Sequence, residues 1–350
     1  MLDRLGVVAD LERAGARPLA GTVVRGPRGS RLHGIFAEAC PKPGRLTGLS
    51  IPRQVLDARL VQAARDDGAG ILERTALEEL LYDRGAVAGA VVRAPDGRRV
   101  IRARLTVGAD GLRSLVAQRL GVRRGGGRLR RFAFVAHVEG VRDLGDSAEM
   151  HVGAQGYVGL NRIGPDLANV ALVVPAALAA PARGRLADFF FEFLNRFPDV
   201  RGRVDRRRLT RRVLATGPFG VWSRRAIADG ALLVGDAADF FDPFTGEGIC
   251  AALRGSELVA EYGAVALDAQ GTVGVGRLEA YAAARRRLFA GKWAVERLIG
   301  YAMAWPALFD RAVARLGCRA GMAHTLIGVT GDFVPARAVL NPVFLARMVL

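Results

Sequence analysis

The stretch LLVGDAADFFDPFTGEGICAAL, residues 232–253, decides how this chain folds. Small apolar residues run up to Gly235 and stop at a carboxylate, Asp236. A turn-rich segment with Pro243, Gly246 and Gly248 follows, and a helical pattern starts behind it. In an open parallel sheet, ligands sit at the carboxyl ends of the strands. A carboxylate placed there accepts hydrogen bonds from sugar hydroxyls, and the N–H groups of a following helix face anions. Glycines let the backbone approach a flat ring or a phosphate with no Cβ in the way. Asp236 with Gly246 and Gly248 therefore suits a nucleotide that carries a ring. An Asp that merely caps a turn would give the same letters. A second apolar strand, RLTVGADG (104–111), ends in the same manner at Asp110-Gly111 and weighs against that plainer reading.

The rest of the composition narrows the function classes. At 350 residues the chain has room for one large domain or two smaller ones, and half of it is apolar, enough for a sizeable core. The longest apolar run, LIGYAMAWPALF (298–309), is interrupted by Pro306 and reads as a buried or interfacial helix rather than a membrane span. The charged, periodic start MLDRLGVVADLERAGARP lacks the apolar core of a secretory signal, so a cytoplasmic location is expected. Cys40, Cys250 and Cys318 are far apart, and His33, His137, His151 and His324 form no cluster, so neither a disulfide framework nor a metal site is expected. The net charge of +17 is almost wholly arginine, with lysine only at 42 and 292. The runs RRGGGRLRR (123–131) and RGRVDRRRLTRR (201–212) have no interleaved aromatics on which bases could stack. They read as solvated surface rather than a nucleic-acid site. Attraction to an anionic membrane surface is left open. Nothing in the sequence specifies an oligomeric state.

Along the chain, LDRLGVVADLERAG (2–15) has helical spacing and stops at Gly15. GTVVRGPRGSRLHGIFAE (21–38) predicts two short strands around a Gly/Pro turn. Pro52 opens a helix with Val55, Leu56, Leu60 and Ala63 inward, and Gly68 ends it. A strand is expected over GILERTALEEL (70–80). A β-meander is expected over 85–111, with its turn at Asp96-Gly97. Ser114 caps a helix over SLVAQRLG, and VRRGGGR (122–128) is a flexible connector. Residues 132–174 read as antiparallel strands, and LADFFFEFLNRFP (186–198) as an amphipathic helix whose aromatic stripe is ordinary core. Helices follow over 256–269 and 276–301 and on towards 350.

The decisive stretch, continued as LLVGDAADFFDPFTGEGICAALRGSELVAE, resembles the second FAD motif of a flavoprotein group. That group contains para-hydroxybenzoate hydroxylase-like monooxygenases and geranylgeranyl reductases. TVGADGLRSLVAQRLG is similar to its Asp-Gly motif, and IPRQVLDARLVQAARDDGAGI to its preceding FAD-contacting helix. GYVGLNRIGPDLANVALVV resembles its substrate sheet, so the likeness covers nearly the whole chain. The resemblance implies an α/β (α+β) fold. An incomplete Rossmann-like FAD-binding domain would come from 51–122 and 213–290. An antiparallel substrate sheet would come from 16–50 and 128–212, with a C-terminal helical segment at 291–350. It implies that Asp236 binds the FAD ribose or pyrophosphate region and that Pro243, Gly246, Gly248 and Ile249 border the isoalloxazine. Arg53 would contact the FAD nucleotide, and Asp110 and Gly111 would shape its pocket. The group's G-x-G-x-x-G unit does not occur in this sequence; Gly125-Gly126-Gly127 follows no such strand and opens no helix. The expectation is a functional polypeptide that starts upstream with that unit, and weak FAD binding by residues 1–350 alone.

A flavin carries the redox chemistry itself, so few protein groups are needed and none reads as catalytic. The leading expectation is an FAD-dependent monooxygenase that takes electrons from NAD(P)H and hydroxylates a hydrophobic or aromatic small molecule. The alternatives are a flavin reductase of isoprenoid double bonds, whose wording DPFTGEGI resembles, and a non-catalytic remnant. His137, His151, Tyr157 and Asn161 lie in the expected substrate sheet as candidates to face the ring. Glu247 sits between the flavin-loop glycines, with a solvent-facing loop acid as its plainer reading. The sheet and FFFEFL (189–194) are expected to line the substrate cavity.

Overall fold

The computed structural model describes residues 1–39, 46–125, 130–268 and 270–349. Its largest element is a seven-stranded sheet. Across it the strands run in the order Leu209–Thr216, Arg131–Glu139, Leu167–Pro175, Gly156–Arg162, Ser147–Gly153, Gly21–Arg25 and Arg31–Ile35. Neighbours are antiparallel except Ser147–Gly153 beside Gly21–Arg25, where the N-terminal hairpin joins in parallel.

Period-two alternation sends successive side chains to opposite faces of this sheet. Phe134, Ala136, Val138, Leu172 and Val174 face one way and meet the helix Leu186–Leu194. Ala133, Tyr157 and Val173 face the other way, towards Phe240, Phe244, Met303 and Phe309. The aromatic stripe of LADFFFEFLNRFP is core, as its spacing indicates: Phe189, Phe190, Phe193, Leu194 and Phe197 are all buried. Each such ring removed from water stabilises the fold by about 1.5–3 kcal/mol. FFFEFL therefore does not line a site at residues 236–249. It covers the opposite face of the sheet, and alternation alone could not say which face that would be.

The second layer is built on the strand Ala231–Leu233, whose residues are wholly buried. It pairs in parallel with Thr106–Gly108 and antiparallel with Ile227–Ala228. Thr106–Gly108 thus leaves the expected meander, which comprises only Ala76–Asp83, Ala86–Ala94 and Gly97–Arg102. Among the described residues Thr106–Gly108 has a partner on one side alone, and Val107 is 39% exposed. The long helices Gly248–Asp268 and Val275–Ala302 close over this layer. Tyr281 of the second helix donates its hydroxyl to the Leu233 carbonyl at 2.7 Å.

Several local expectations are corrected. The strand after Gly68 starts only at Ala76, because residues 69–75 form an irregular loop with Arg74 at φ +53°. The hairpin turn is Pro95-Asp96, one residue early: Ala94 pairs with Gly97, and proline presets the first turn position. Arg123–Gly125 is not a flexible connector but a strand paired with Val221–Ser223. The remainder of that connector, 126–128, lies outside the described residues, as does Cys40. The apolar run 298–309 is broken at Pro306, which starts the helix Pro306–Gly317. No helix among the described residues is long and apolar enough to cross a membrane.

Candidate flavin site

The strand Ala231–Leu233 delivers the chain to Gly235, whose φ of +59° turns it into the short 3-10 segment Gly235–Ala237. A second turn, Pro243–Thr245, ends on Gly246 at φ +73°, and the helix Gly248–Asp268 begins two residues later. The left-handed backbone at these two glycines disfavours a side chain. Further along the helix, a Cβ on Gly255 would come within 2.7 Å of Val234, so glycine lets the helix lie directly on the strand.

Asp236 is half-buried in this turn, and among the described residues no donor hydrogen-bonds its carboxylate. Burial lifts its pKa to about 6, against the opposing pull of the Arg53 guanidinium. Arg53, at the start of the helix Arg53–Asp66, also pairs with Asp57 at 2.9 Å. Gly248 keeps the space beside Asp236 clear: a Cβ there would stand 3.9 Å from Asp236 Oδ1 and 4.0 Å from Phe240. A Cβ on Gly246 would have no neighbour within 4 Å, and Ile249 is 38% exposed. Arg53, Asp236, Pro243, Gly246, Gly248 and Ile249 thus share one region. Asp110 has another occupation. Its Oδ2 accepts Leu115 N–H at 2.6 Å and Val116 N–H at 3.1 Å, and Ser114 Oγ accepts Ala117 N–H at 2.9 Å. Together they cap the helix Leu115–Arg119, and Gly111 at φ +74° supplies the turn.

One acid of the loop escaped the sequence reading, and another is placed differently from its plainer reading. Asp242 links loop to sheet: Oδ1 accepts the Tyr157 hydroxyl at 2.6 Å and Phe244 N–H at 3.0 Å, and Oδ2 accepts Arg131 Nη1 at 2.6 Å. Burial and the Asp242 charge hold the Tyr157 hydroxyl protonated, well above its ordinary range. An Asp before a proline-led turn is a cap signal, but nothing in the sequence announces its partners.

Glu247 is not a solvent-facing acid. It is 7% exposed, with Lys292 Nζ 3.8 Å from Oε2. Burial raises its pKa to about 7, Lys292 pulling it down and Asp332 pushing it up. Lys292 in turn stands 2.5 Å from Asp332 Oδ1, and Cys250 Sγ and Arg254 Nε donate to Asp332 Oδ2. Glu296, one helical turn beyond Lys292, is lifted to about 8 by burial and then by the Glu247 and Asp242 charges. Near neutral pH this region therefore holds two carboxyl groups that keep their protons far longer than free acids do.

Of the four sheet residues considered as ring-facing, Tyr157 alone meets the loop. His151 binds Glu149 at 2.8 Å, Asn161 Nδ2 donates to Ser50 Oγ at 2.8 Å, and His137 lies 3.5 Å from Arg211. The arrangement fits an FAD. Asp236 is a half-buried acceptor with no protein donor, Gly246 and Gly248 hold backbone surface open, and a 21-residue helix presents its N-terminus beside them.

Comparison with known proteins agrees with this geometry. A family model described as FAD binding domain matches residues 1–296. Digeranylgeranylglycerophospholipid reductase 2 of Methanothermobacter thermautotrophicus is 29% identical over 255 residues, which cover 71% of this chain and 62% of that protein. The digeranylgeranylglycerophospholipid reductase of Methanothrix thermoacetophila is 31% identical over 275 residues, 76% of this chain and 66% of that one. The chain thus spans just over six-tenths of the length of these relatives. Among solved structures, a flavin-dependent brominase superposes with a TM-score of 0.77 at 19% identity, over 95% of this chain and 84% of that one. A geranylgeranyl bacteriochlorophyll reductase-like protein from Thermoplasma acidophilum superposes with a TM-score of 0.74 at 20% identity, over 96% and 83%. These two likenesses establish a shared α/β fold. By the match across residues 1–296, the chain belongs to the family of FAD binding domains.

Proposed function

We propose that this chain works as an FAD-dependent oxidoreductase that saturates carbon–carbon double bonds of a hydrophobic, isoprenoid substrate. The observation that carries the reading is the acid cluster behind the flavin loop: Glu247, 7% exposed between Gly246 and Gly248 with Lys292 at 3.8 Å, and Glu296 one helical turn beyond Lys292, both with pKa raised by burial. Saturating a double bond consumes a hydride equivalent and a proton. FAD, when bound and reduced, supplies the first. Asp236 and Arg53 would hold its polar chain, and Gly246 and Gly248 would leave room for it. The carboxyl groups of Glu247 and Glu296, raised by burial to about 7 and about 8, would supply the proton. Asp242, fixed by Arg131 and Tyr157, keeps the loop against the apolar face of the sheet, where Phe244 packs between Tyr157 and Phe309. The names of the two reductase relatives support the same substrate class. NAD(P)H is the proposed electron donor.

The test is anaerobic turnover. The FAD-reconstituted chain is supplied with NADPH and a geranylgeranylated lipid under nitrogen, then under oxygen, and products are weighed by mass spectrometry. Gain of two hydrogens per double bond under nitrogen is expected. Gain of oxygen atoms, seen only under oxygen, would replace this reading with hydroxylation, the first expectation from the sequence.

A further inference from the structure

Away from the flavin loop, a cleft of about 730 Å³ opens between the strand Val221–Ser223 and the outer side of the helix Val275–Ala302. Arg224, Arg225, Arg286 and Arg297 line it. All four are exposed, and among the described residues none forms an ion pair. A fifth arginine, Arg285, is neutralised by Asp239 in a buried pair, which leaves Glu279 as the one unpaired carboxylate on the described lining. The same walls are aromatic. Trp222 and Trp293 line the cleft beside Tyr301, and Arg297 stacks over the Phe241 ring at 4.6 Å.

The chain has three tryptophans in all. Two are in this cleft, and the third, Trp305, follows in the turn after the same helix, 69% exposed. Leu298 and Tyr301, at i and i+3 on this helix, are 39% and 58% exposed, and Trp305, in the turn beyond its end, is 69% exposed. Such an apolar stripe beside free arginines is costly in plain water. It is what an interfacial surface needs: tryptophan and tyrosine rest at the headgroup level, and guanidinium groups meet lipid phosphates. Other arginine-rich surfaces of this chain, such as 201–212, contain no tryptophan or tyrosine.

We infer that this face is a docking surface for an anionic phospholipid membrane. Arg224, Arg225, Arg286 and Arg297 take the headgroup phosphates, and Tyr301, Trp305 and Leu298 enter the headgroup layer. Charge complementarity selects an anionic occupant, and the exposed aliphatic Leu298 beside Tyr301 favours a lipid interface over RNA, whose bases could also stack on the tryptophans. This inference goes beyond the proposed reaction and does not depend on it.

The test uses the purified chain with vesicles of phosphatidylcholine alone and of equal parts phosphatidylcholine and phosphatidylglycerol. Because Trp222 and Trp293 line the cleft and Trp305 follows the end of its helix, intrinsic emission reports docking. A blue shift with the anionic vesicles, absent with the neutral ones and reversed by salt, is expected. The triple variant Arg224→Gln/Arg225→Gln/Arg286→Gln should weaken binding by about a hundredfold. Trp305→Ala should weaken it with the charge intact. The control Arg183→Gln/Arg201→Gln/Arg212→Gln changes exposed arginines elsewhere and should lose far less. Thermal melts confirm that each variant is folded, and the wild-type emission needs no variant. Absence of anionic-vesicle binding, an equal loss in the control, or cleft-dependent binding of RNA without binding of vesicles would each overturn the proposal.

Discussion

The hydroxyl of Tyr157, in the middle of the seven-stranded sheet, is 2.6 Å from Oδ1 of Asp242 in the loop beyond strand Ala231–Leu233. With the Arg131 pair on Oδ2, this bond fastens the sheet to the flavin loop. Both side chains of the ion pair are about nine-tenths buried. Asp242→Asn should therefore cost about 3–5 kcal/mol, since it leaves a buried guanidinium without its counter-charge. Tyr157→Phe removes one hydrogen bond to a charged acceptor and should cost about 1.5–3 kcal/mol. Urea unfolding of the two single variants and the double variant measures both; additive losses would show that Tyr157 and Asp242 act independently.

Asp236→Ala should weaken FAD binding by roughly ten- to a hundredfold, the range for hydrogen bonds to a charged acceptor. Titration followed by flavin fluorescence reads it. Because the Asp236 pKa is raised to about 6, wild-type affinity should also fall as pH drops below that value, and Asp236→Asn should flatten the profile. An unchanged affinity would leave Asp236 as a turn residue only.

Glu247 and Glu296 make stability depend on pH in an unusual direction. Their pKa values rise from the ordinary 4.5 to about 7 and about 8 in the folded chain. Between these limits the folded state binds more protons than the unfolded one. Their contribution is complete below pH 4.5 and is lost as pH rises through 7 and 8. Glu296→Gln should stabilise the chain by on the order of 2 kcal/mol at pH 9 and leave it nearly unchanged at pH 4. Thermal melts across that range decide the matter.

Glu149 has the opposite sign. Hydrogen bonds from His151 and Arg203 outweigh burial and hold its pKa at about 2. Stability from this group is present above pH 4.5 and is lost as pH falls towards 2. Glu149→Gln should cost about 2–3 kcal/mol at pH 7, with the difference shrinking in acid. A pH-independent difference would assign the loss to packing instead.

The sequence carried those features that depend on neighbours within a few positions. The apolar run before Gly235, the alternation at 132–174, the Ser114 cap and the helix behind Pro52 are all of this kind. What it hid depends on residues that meet only after folding. Glu247 is flanked by glycines and looks exposed, yet Lys292 and Asp332 close over it. That the Asp110 carboxylate turns back to cap the helix that follows was likewise not legible. The same period of two placed Phe134 and Tyr157 on opposite faces, but only the packing of Phe189 and Phe193 against the former reveals which face meets the loop.

Asp332 brings together three distant parts of the chain. It sits at φ +63°, just beyond the helix Ala320–Thr330, and meets Lys292, Cys250 and Arg254 on the two long helices. The segment at 320–332 is thereby joined to the first turns of the helix that starts the flavin loop's far side. Amide hydrogens in the two places should exchange with solvent as one cooperative unit, opening and closing together. A ligand that quiets residues 246–254 should slow exchange at 325–332 as well, with no contact of its own there, and Asp332→Asn should uncouple the two.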